Sequence, residues 1–294
     1  MRVLHFFKTY FPDSFGGTEQ FIYQLARGSV RRGIDVDVLS LSSNVAEPTS
    51  MIDNHRSHRV KLDFEISSTG ISFAAIRRFN ELARQADIIH YHFPWPFMDL
   101  VHFANRNKRP TVVTYHSDIL RQRFLLRFYQ PLMKKFLGDV TRIVATSPNY
   151  LDTSPILNNY RHKTTVIPIG LDRSTYPDAS PELMDIWRAR LGGEFFLFVG
   201  MLRYYKGLHI LLEAVRNTDL RVVIAGAGPT ELELKRRAQS LGLGNVTFLG
   251  AIPDEDKVAL LQLSLAVVFP SLESRGLRNN VARRRHVWKA DDLE

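Results

Sequence analysis

The sequence predicts an α/β protein of two doubly wound units, the second cut short. Three observations carry that expectation. Apolar runs of strand length alternate with stretches of helical spacing along most of the chain, the pattern of parallel sheets with crossover helices. Two of those runs end in glycine turns, Phe198-Val-Gly-Met-Leu-Arg-Tyr-Tyr-Lys-Gly207 and Ile224-Ala-Gly-Ala-Gly-Pro229. Between the two units, Thr165-Val-Ile-Pro-Ile-Gly-Leu-Asp172 breaks the alternation with proline and glycine, and a polar stretch runs on to Glu194. A chain of 294 residues has room for two domains of ordinary size.

In chain order, Met1–Phe7 is apolar and rich in strand formers. Thr18–Arg31 has helical spacing at Phe21, Ile22, Leu25 and Ala26, with Glu19 in its first turn. Val36–Leu41 reads as a strand. Ser72–Gln85 reads as a helix that Ser72 can cap. Ile88–His92, Thr111–Tyr115 and Arg142–Ala145 read as strands. The first unit closes at residue 172, residues 173–194 are a linker, and the second unit starts at Phe195. Its strands are Phe195–Val199, Arg221–Ala225, Val246–Leu249 and Ala266–Phe269. Helical spacing fills the intervals at Gly207–Arg216, Thr230–Leu241 and Asp254–Leu263. Only about four strands fit before the periodicity stops near Ser271, where a doubly wound domain has about five or six.

The bulk composition narrows the function. With 45% hydrophobic and 23% charged residues, the chain is an ordinary globular one. It shows no apolar run long enough to span a bilayer and no secretory signal, so the expected location is the cytoplasm. With no cysteine in the sequence, disulfides, thiolate metal sites and thiol nucleophiles are excluded. A formal charge of +9 favours an anionic partner. Ser274–Glu294 carries six Arg/Lys against three Asp/Glu, so much of that excess lies in the tail. Nucleic acid is therefore the least favoured partner.

Ligands in open α/β sheets bind at the carboxyl ends of the strands. Phe15-Gly-Gly-Thr-Glu-Gln20 lies there, after the first strand. Its paired glycines allow close backbone approach and the following helix amides favour an anion, or else the pair is a tight turn. His90-Tyr-His92 and Thr114-Tyr-His-Ser-Asp118 end neighbouring strands with polar groups, either lining a site or serving the core. Arg203 and Lys206 sit where a helix starts, although cations oppose the dipole there. A bound diphosphate would explain them; solvated surface charges are the alternative. Asp172 and Glu213 are candidates for hydroxyl contacts. No His/Asp/Glu spacing resembles a zinc site, and no Gly-x-Ser-x-Gly turn occurs. Arg121–Phe136 mixes basic and large apolar residues at helical spacing. That suits an ordinary amphipathic helix or one lying on an anionic membrane surface.

Taken in order, these motifs resemble those of retaining, family-4-type glycosyltransferases of the GT-B architecture, which have two Rossmann-like domains with the active site between them. The resemblance runs from Met1 to about Ser271. It includes Gly16–Gly17, the Thr-x-His segment at His116, Ala145-Thr-Ser-Pro148 and Ile167-Pro-Ile-Gly-Leu-Asp172. It continues through Val199–Gly207, Ala225-Gly-Ala-Gly-Pro229 and Phe269-Pro-Ser271. It implies that Arg203 and Lys206 neutralise the donor diphosphate, with Gly16, Gly17 and Gly226 on the donor side and no metal or other cofactor. His116 would lie beside the transferred sugar and the acceptor hydroxyl as the catalytic residue. The implied partners are a nucleotide sugar, in the first instance GDP-linked, and a saccharide or lipid-linked acceptor. The implied setting is lipopolysaccharide or exopolysaccharide assembly, with peripheral contact to the cytoplasmic face of the inner membrane. A non-catalytic remnant and a nucleotide-sugar epimerase of the same fold are the alternatives.

The tail departs from the resemblance. The family places a Glu-x7-Glu motif after Pro-Ser, for the donor sugar and the ribose, whereas Ser274–Glu294 has no apolar period and no second spaced glutamate. One set of codons for that tail, read one base later, encodes REAFGITLLEGATYGKPMIS. That string has glutamate, seven residues, glutamate, then Gly-Lys-Pro. The expectation is a frameshift near Leu272–Ser274 that truncates the second domain.

Overall fold

A computed structural model describes residues 1–66, 69–118, 123–170, 172, 177–272 and 287–288. Its internal contacts divide the chain into two units, Met1–Leu171 and Asp172–Glu294.

The first unit is built on strands β1 (Arg2–Phe6), β2 (Asp35–Ser42), β3 (Thr49–Ile52) and β4 (His55–Lys61). The short pair β5 (Phe64–Ile66) and β6 (Thr69–Ile71) forms its own hairpin ladder. The main sheet continues with β7 (Ile88–Phe93), β8 (Thr111–Tyr115), β9 (Arg142–Ala145) and β10 (Thr164–Val166). Its order is β10-β9-β8-β7-β1-β2-β4-β3, and only the β3–β4 pair is antiparallel. Helices α1 (Gly17–Val30), α2 (Phe73–Gln85), α3 (Pro96–Ala104), α4 (Arg123–Asp139) and α5 (Pro148–Thr153) connect these strands. Each starts where local chemistry allows it. Ser72 Oγ accepts from Ala75 N–H at 3.1 Å at the head of α2, and Ser147 Oγ from Tyr150 N–H at 3.1 Å at the head of α5. A core containing Phe6, Phe79, Tyr91, Phe93, Tyr115 and Phe136 packs against one face of the sheet. Another, including Phe7, Tyr10, Ile22, Ala26 and Val38, lies under α1.

The second unit has β11 (Phe196–Val199), β12 (Val222–Ala225), β13 (Val246–Gly250), β14 (Ala266–Val268) and β15 (Val287–Trp288), in the order β13-β12-β11-β14-β15. Its helices are α6 (Pro181–Leu191), α7 (Leu208–Ala214), α8 (Glu231–Ser240) and α9 (Asp254–Leu263). The first four strands are parallel, in the Rossmann-like 3-2-1-4 order of a doubly wound sheet.

Two expectations need correction. Residues 173–194 are not all linker. Ser180 caps α6, which ends at Gly192 in the left-handed region (φ 63°). Its Trp187 is buried and donates from Nε1 to Asp256 on α9 at 2.7 Å, which ties the helix into the second core. The tail, expected to contribute no strand, supplies β15, which pairs antiparallel with β14. Valine and tryptophan are strong strand formers, and the edge of β14 offers unpaired backbone groups to them. Residues 273–286 and 289–294, which carry most of the frameshift argument, lie outside the described residues.

Candidate active site

In the first unit the site is built at the carboxyl ends of β1, β7 and β8. The loop after β1 returns into α1 at Gly16, the residue before the first helical turn. A side chain at Gly16 would collide with the Glu19 carboxylate, which is buried and accepts from Thr9 and Ser14 hydroxyls at 2.7 Å each. That close approach accounts for glycine at 16. At Gly17 a Cβ would meet no described atom within 4 Å, so nothing in the fold requires glycine there. Glu19 also places a negative charge in the first turn, where it complements the helix dipole.

His116 follows β8. Its backbone N–H donates to Phe93 O at 3.1 Å, and its Nε2 lies 3.2 Å from Nδ1 of His92. The edge of Phe21, one turn into α1, stands against the His116 ring at 5.1 Å. Gly16, Gly17 and His116 are thereby gathered at one end of one sheet by α1. Behind His116 lies a group of histidines, His5 and His92 buried and His90 half-buried, that the sequence showed only in part. His5 Nδ1 sits 3.1 Å from His92 Nε2, and His90 Nε2 sits 2.8 Å from Thr114 Oγ1. Burial lowers the pKa of His5 and His92 well below the usual value, with neighbouring imidazoles adding to it, and brings His90 down to about 4. These rings are neutral at ordinary pH. His90, His92 and His116 were singled out from the ends of their strands. His5 was not, because it lies inside β1 and joins the others only through the pairing His5↔His90.

In the second unit the turn after β11 holds Arg203 and Lys206. Gly200 (φ 150°) leaves the strand, and Tyr204–Lys206 form one 3-10 turn. Gly207 (φ 68°) then starts α7. Arg203 is exposed, with Nε 3.0 Å from Met201 Sδ and no carboxylate paired with it among the described residues. Lys206 is half-buried, with Nζ 5.5 Å from the centre of the Tyr205 ring. Gly226 (φ 132°) is required by backbone packing, since a Cβ there would overlap the carbonyl of Gly200. Gly228 packs in the same way on Leu202, and Gly207 on Pro270. Leu202 N–H donates to Ala227 O at 3.0 Å and Gly200 N–H to Ala225 O at 3.0 Å, so the two glycine turns form one interlocked edge. The site glycine Gly226 thus shapes the turn that carries Arg203. Glu213 pairs with Arg237 of α8 at 2.8 Å, which gives that carboxylate a structural partner.

Among the described residues, no helix is long and apolar enough to cross a membrane. The amphipathic α4 buries Met133, Phe136 and Leu137 and exposes Arg127, Phe128, Lys134 and Lys135. Residues 121 and 122, the start of the basic segment, lie outside the described residues.

Two Rossmann-like α/β units, with cations and glycine turns at the carboxyl edge of the second, define a GT-B glycosyltransferase fold. Family models agree in detail. Glycosyltransferase Family 4 matches residues 15–175 and Glycosyl transferases group 1 matches residues 180–277. The chain belongs to glycosyltransferase family 4. It is 57% identical over 271 residues to the D-rhamnosyltransferase WbpZ of Pseudomonas aeruginosa, a match that covers 92% of this chain and 71% of that protein. It is 51% identical over 271 residues to the O-antigen chain mannosyltransferase C of Escherichia coli, covering 92% and 73%. Among solved structures, Anabaena Alr3699/HepE in complex with UDP-glucose superposes with a TM-score of 0.67 at 20% identity, covering 92% of this chain and 74% of that one.

Proposed function

We propose that the reaction is transfer of mannose or a deoxyhexose from a GDP-linked donor to a saccharide or lipid-linked acceptor in O-antigen assembly, with retention at the anomeric carbon. The relatives' names, a rhamnosyltransferase and a mannosyltransferase, support the sugar class. The observation that carries the donor side is the exposed guanidinium of Arg203, with no carboxylate paired with it among the described residues, in the turn after β11 that also holds Lys206. As the glycosidic bond to the diphosphate breaks, negative charge grows on the leaving phosphate. Fixed cations stabilise that charge more in the transition state than in the bound donor. Attack on the face from which the diphosphate departs gives retention, with a phosphate oxygen taking the acceptor proton. His116 is the acceptor-side residue, able to hold a sugar hydroxyl with one ring nitrogen. No metal is needed in this scheme, because the two cations do its work.

The test is nucleotide binding by calorimetry in a chain that carries the alternative reading frame after Leu272. Arg203→Ala and Lys206→Ala should each weaken GDP binding by about 1.5–3 kcal/mol, the loss of one charge-assisted contact. Unchanged affinity in both variants would overturn the donor assignment. Nuclear magnetic resonance of the first-formed product reads the anomeric outcome directly, and an inverted linkage would overturn retention. A second reading has an observation of its own: Ser274–Glu294 lacks the glutamate pair of the family. On that reading the 294-residue chain is an impaired or non-catalytic remnant. Nothing observed favours an epimerase.

A further inference from the structure

We infer that Phe15 is an acceptor subsite, a stacking platform for a sugar residue set back along the saccharide from the hydroxyl that reacts. Its side chain is 68% exposed, in the loop between β1 and α1 and one residue before Gly16. A single exposed apolar side chain is ordinary. Phe15 differs in how it is mounted. Its ring packs on Phe11 at 4.7 Å between centres. Phe11, only 8% exposed, packs in turn on Tyr23 of α1 at 5.2 Å and stacks on Tyr10 at 5.3 Å and 13°. Tyr10 is fully buried, with its hydroxyl 2.8 Å from His55 Nε2 on β4. The backbone is pinned as well. The N–H groups of Asp13 and Ser14 donate to Tyr10 O at 3.0 and 3.1 Å, and the Ser14 hydroxyl donates to Glu19 at 2.7 Å. An aromatic face held out to solvent by a buried stack is ordered in advance, so a ligand that covers it costs little conformational freedom.

The surroundings select the chemistry of that ligand. The charges beside the stack come in opposite pairs, Arg27 with Asp53 at 3.4 Å and Arg59 with Asp13 at 3.6 Å. Tyr23 donates its hydroxyl to Asp53 and accepts from Arg27 at 3.4 Å. Paired charges of this kind draw in neither a phosphate nor an anionic lipid headgroup. A part-exposed carboxylate and guanidinium side by side can, however, bond neighbouring hydroxyls. An exposed ring with such groups at its margin suits a ligand that has an apolar face and a hydroxylated edge. A pyranose has both, with C–H groups on its face and hydroxyls around its rim. A deoxyhexose, with a methyl group in place of a hydroxymethyl, is more apolar still.

Helix α1 sets the platform apart from His116. Phe21, which stands against His116, and Tyr23 are two residues apart, so they leave the helix about 200° from each other. Between them lies the head of α1, where a Cβ on Gly17 would meet nothing within 4 Å. A helix with its side chains is about 10 Å across. A saccharide with its reacting end at His116 therefore reaches Phe15 only with residues further back in the chain. The subsite rests on the saccharide acceptor of the proposed reaction, but its test uses no donor.

The experiment titrates the 294-residue chain with mannotriose and reads binding from saturation-transfer difference spectra. The unaltered chain should bind it. Phe15→Ala and Phe15→Leu should each weaken binding about tenfold, the loss of one aromatic contact, whereas Phe15→Trp should retain it. Phe15→Leu keeps an apolar side chain in the loop, so it separates stacking from plain apolar contact and still decides if Phe15→Ala does not fold. No binding by the unaltered chain would overturn the subsite, and so would equal binding by Phe15→Leu. Co-sedimentation with vesicles of phosphatidylethanolamine and phosphatidylglycerol tests the other occupant. Vesicle binding lost in Phe15→Ala, with mannotriose binding unchanged, would make the ring a lipid contact and overturn the proposal. Arg203→Ala and Lys206→Ala should leave mannotriose binding as it is, so failure of the donor assignment and failure of the subsite are separate results.

Discussion

His90 shows at the scale of one residue how burial alone sets a charge state. No carboxylate is paired with it among the described residues; its Nε2 meets Thr114, and loss of solvent brings its pKa from 6.5 to about 4. The unfolded chain takes up a proton near pH 6.5, which the folded protein refuses until about pH 4. Its contribution is therefore fully present above pH 6.5 and is lost as pH falls through that window, at about 1.4 kcal/mol per pH unit. His5 and His92 shift in the same direction and steepen the loss. His90→Gln keeps a group able to bond Thr114 but does not titrate. Urea unfolding between pH 7 and 4 should show a shallower loss of stability in that variant; parallel curves would contradict the assignment. Asp37 acts lower on the scale. Burial raises its pKa, but hydrogen bonds from His58 and Arg56 outweigh that and hold the carboxyl well below its usual range. Its contribution is present above the ordinary carboxylate pKa and is lost only as pH falls below it. That network also marks where the sequence fell short. His55-Arg-Ser-His-Arg-Val-Lys61 has no apolar run and is not assigned from the sequence, yet it forms β4, because its charged side chains find partners on β2 and α2.

At the scale of elements, the alternation of apolar runs and helical spacing located every parallel strand flanking the two sites, since those strands are buried on both faces and read as apolar. It did not find β3 to β6, whose residues are polar or few, nor α3 and α5, which begin directly after strands with Pro96 and Pro148 at their heads. The glycine turns were legible as close approaches, but what they approach was not. Gly226 meets another backbone, that of Gly200, rather than open space. Gly226→Ala adds overlap to a backbone at φ 132° and should destabilise the second unit by about 3 kcal/mol or more. Differential scanning calorimetry would register it, and a loss under about 0.5 kcal/mol would show that the turn can relax. Helix α4 offers a second test at this scale. Arg127, Lys134 and Lys135 are exposed on it, beside Phe128 at 71% exposure. If α4 rests on a membrane, changing the three cations to Ser should reduce co-sedimentation with vesicles containing anionic lipid, and salt should do the same to the unaltered chain. Equal binding to neutral vesicles would remove the electrostatic component.

The whole molecule turns on its carboxyl end. The match to the rhamnosyltransferase covers 92% of this chain but 71% of that protein, and the two family models together reach residue 277. The apolar residues Leu265, before β14, and Phe269 and Leu272, after it, are 43%, 51% and 42% exposed. The edge strand β15 pairs with two residues of β14. The glutamates that the family uses for donor sugar and ribose are missing from the sequence as it stands, and such contacts in a preorganised site are hard to supply from elsewhere. The 294-residue chain should therefore transfer sugar at least about a thousandfold more slowly than the chain continued in the alternative frame, the size of effect seen when a key electrostatic contact is removed. A transfer assay with GDP-mannose on both chains tests this. Equal rates would mean that the tail builds its own donor site.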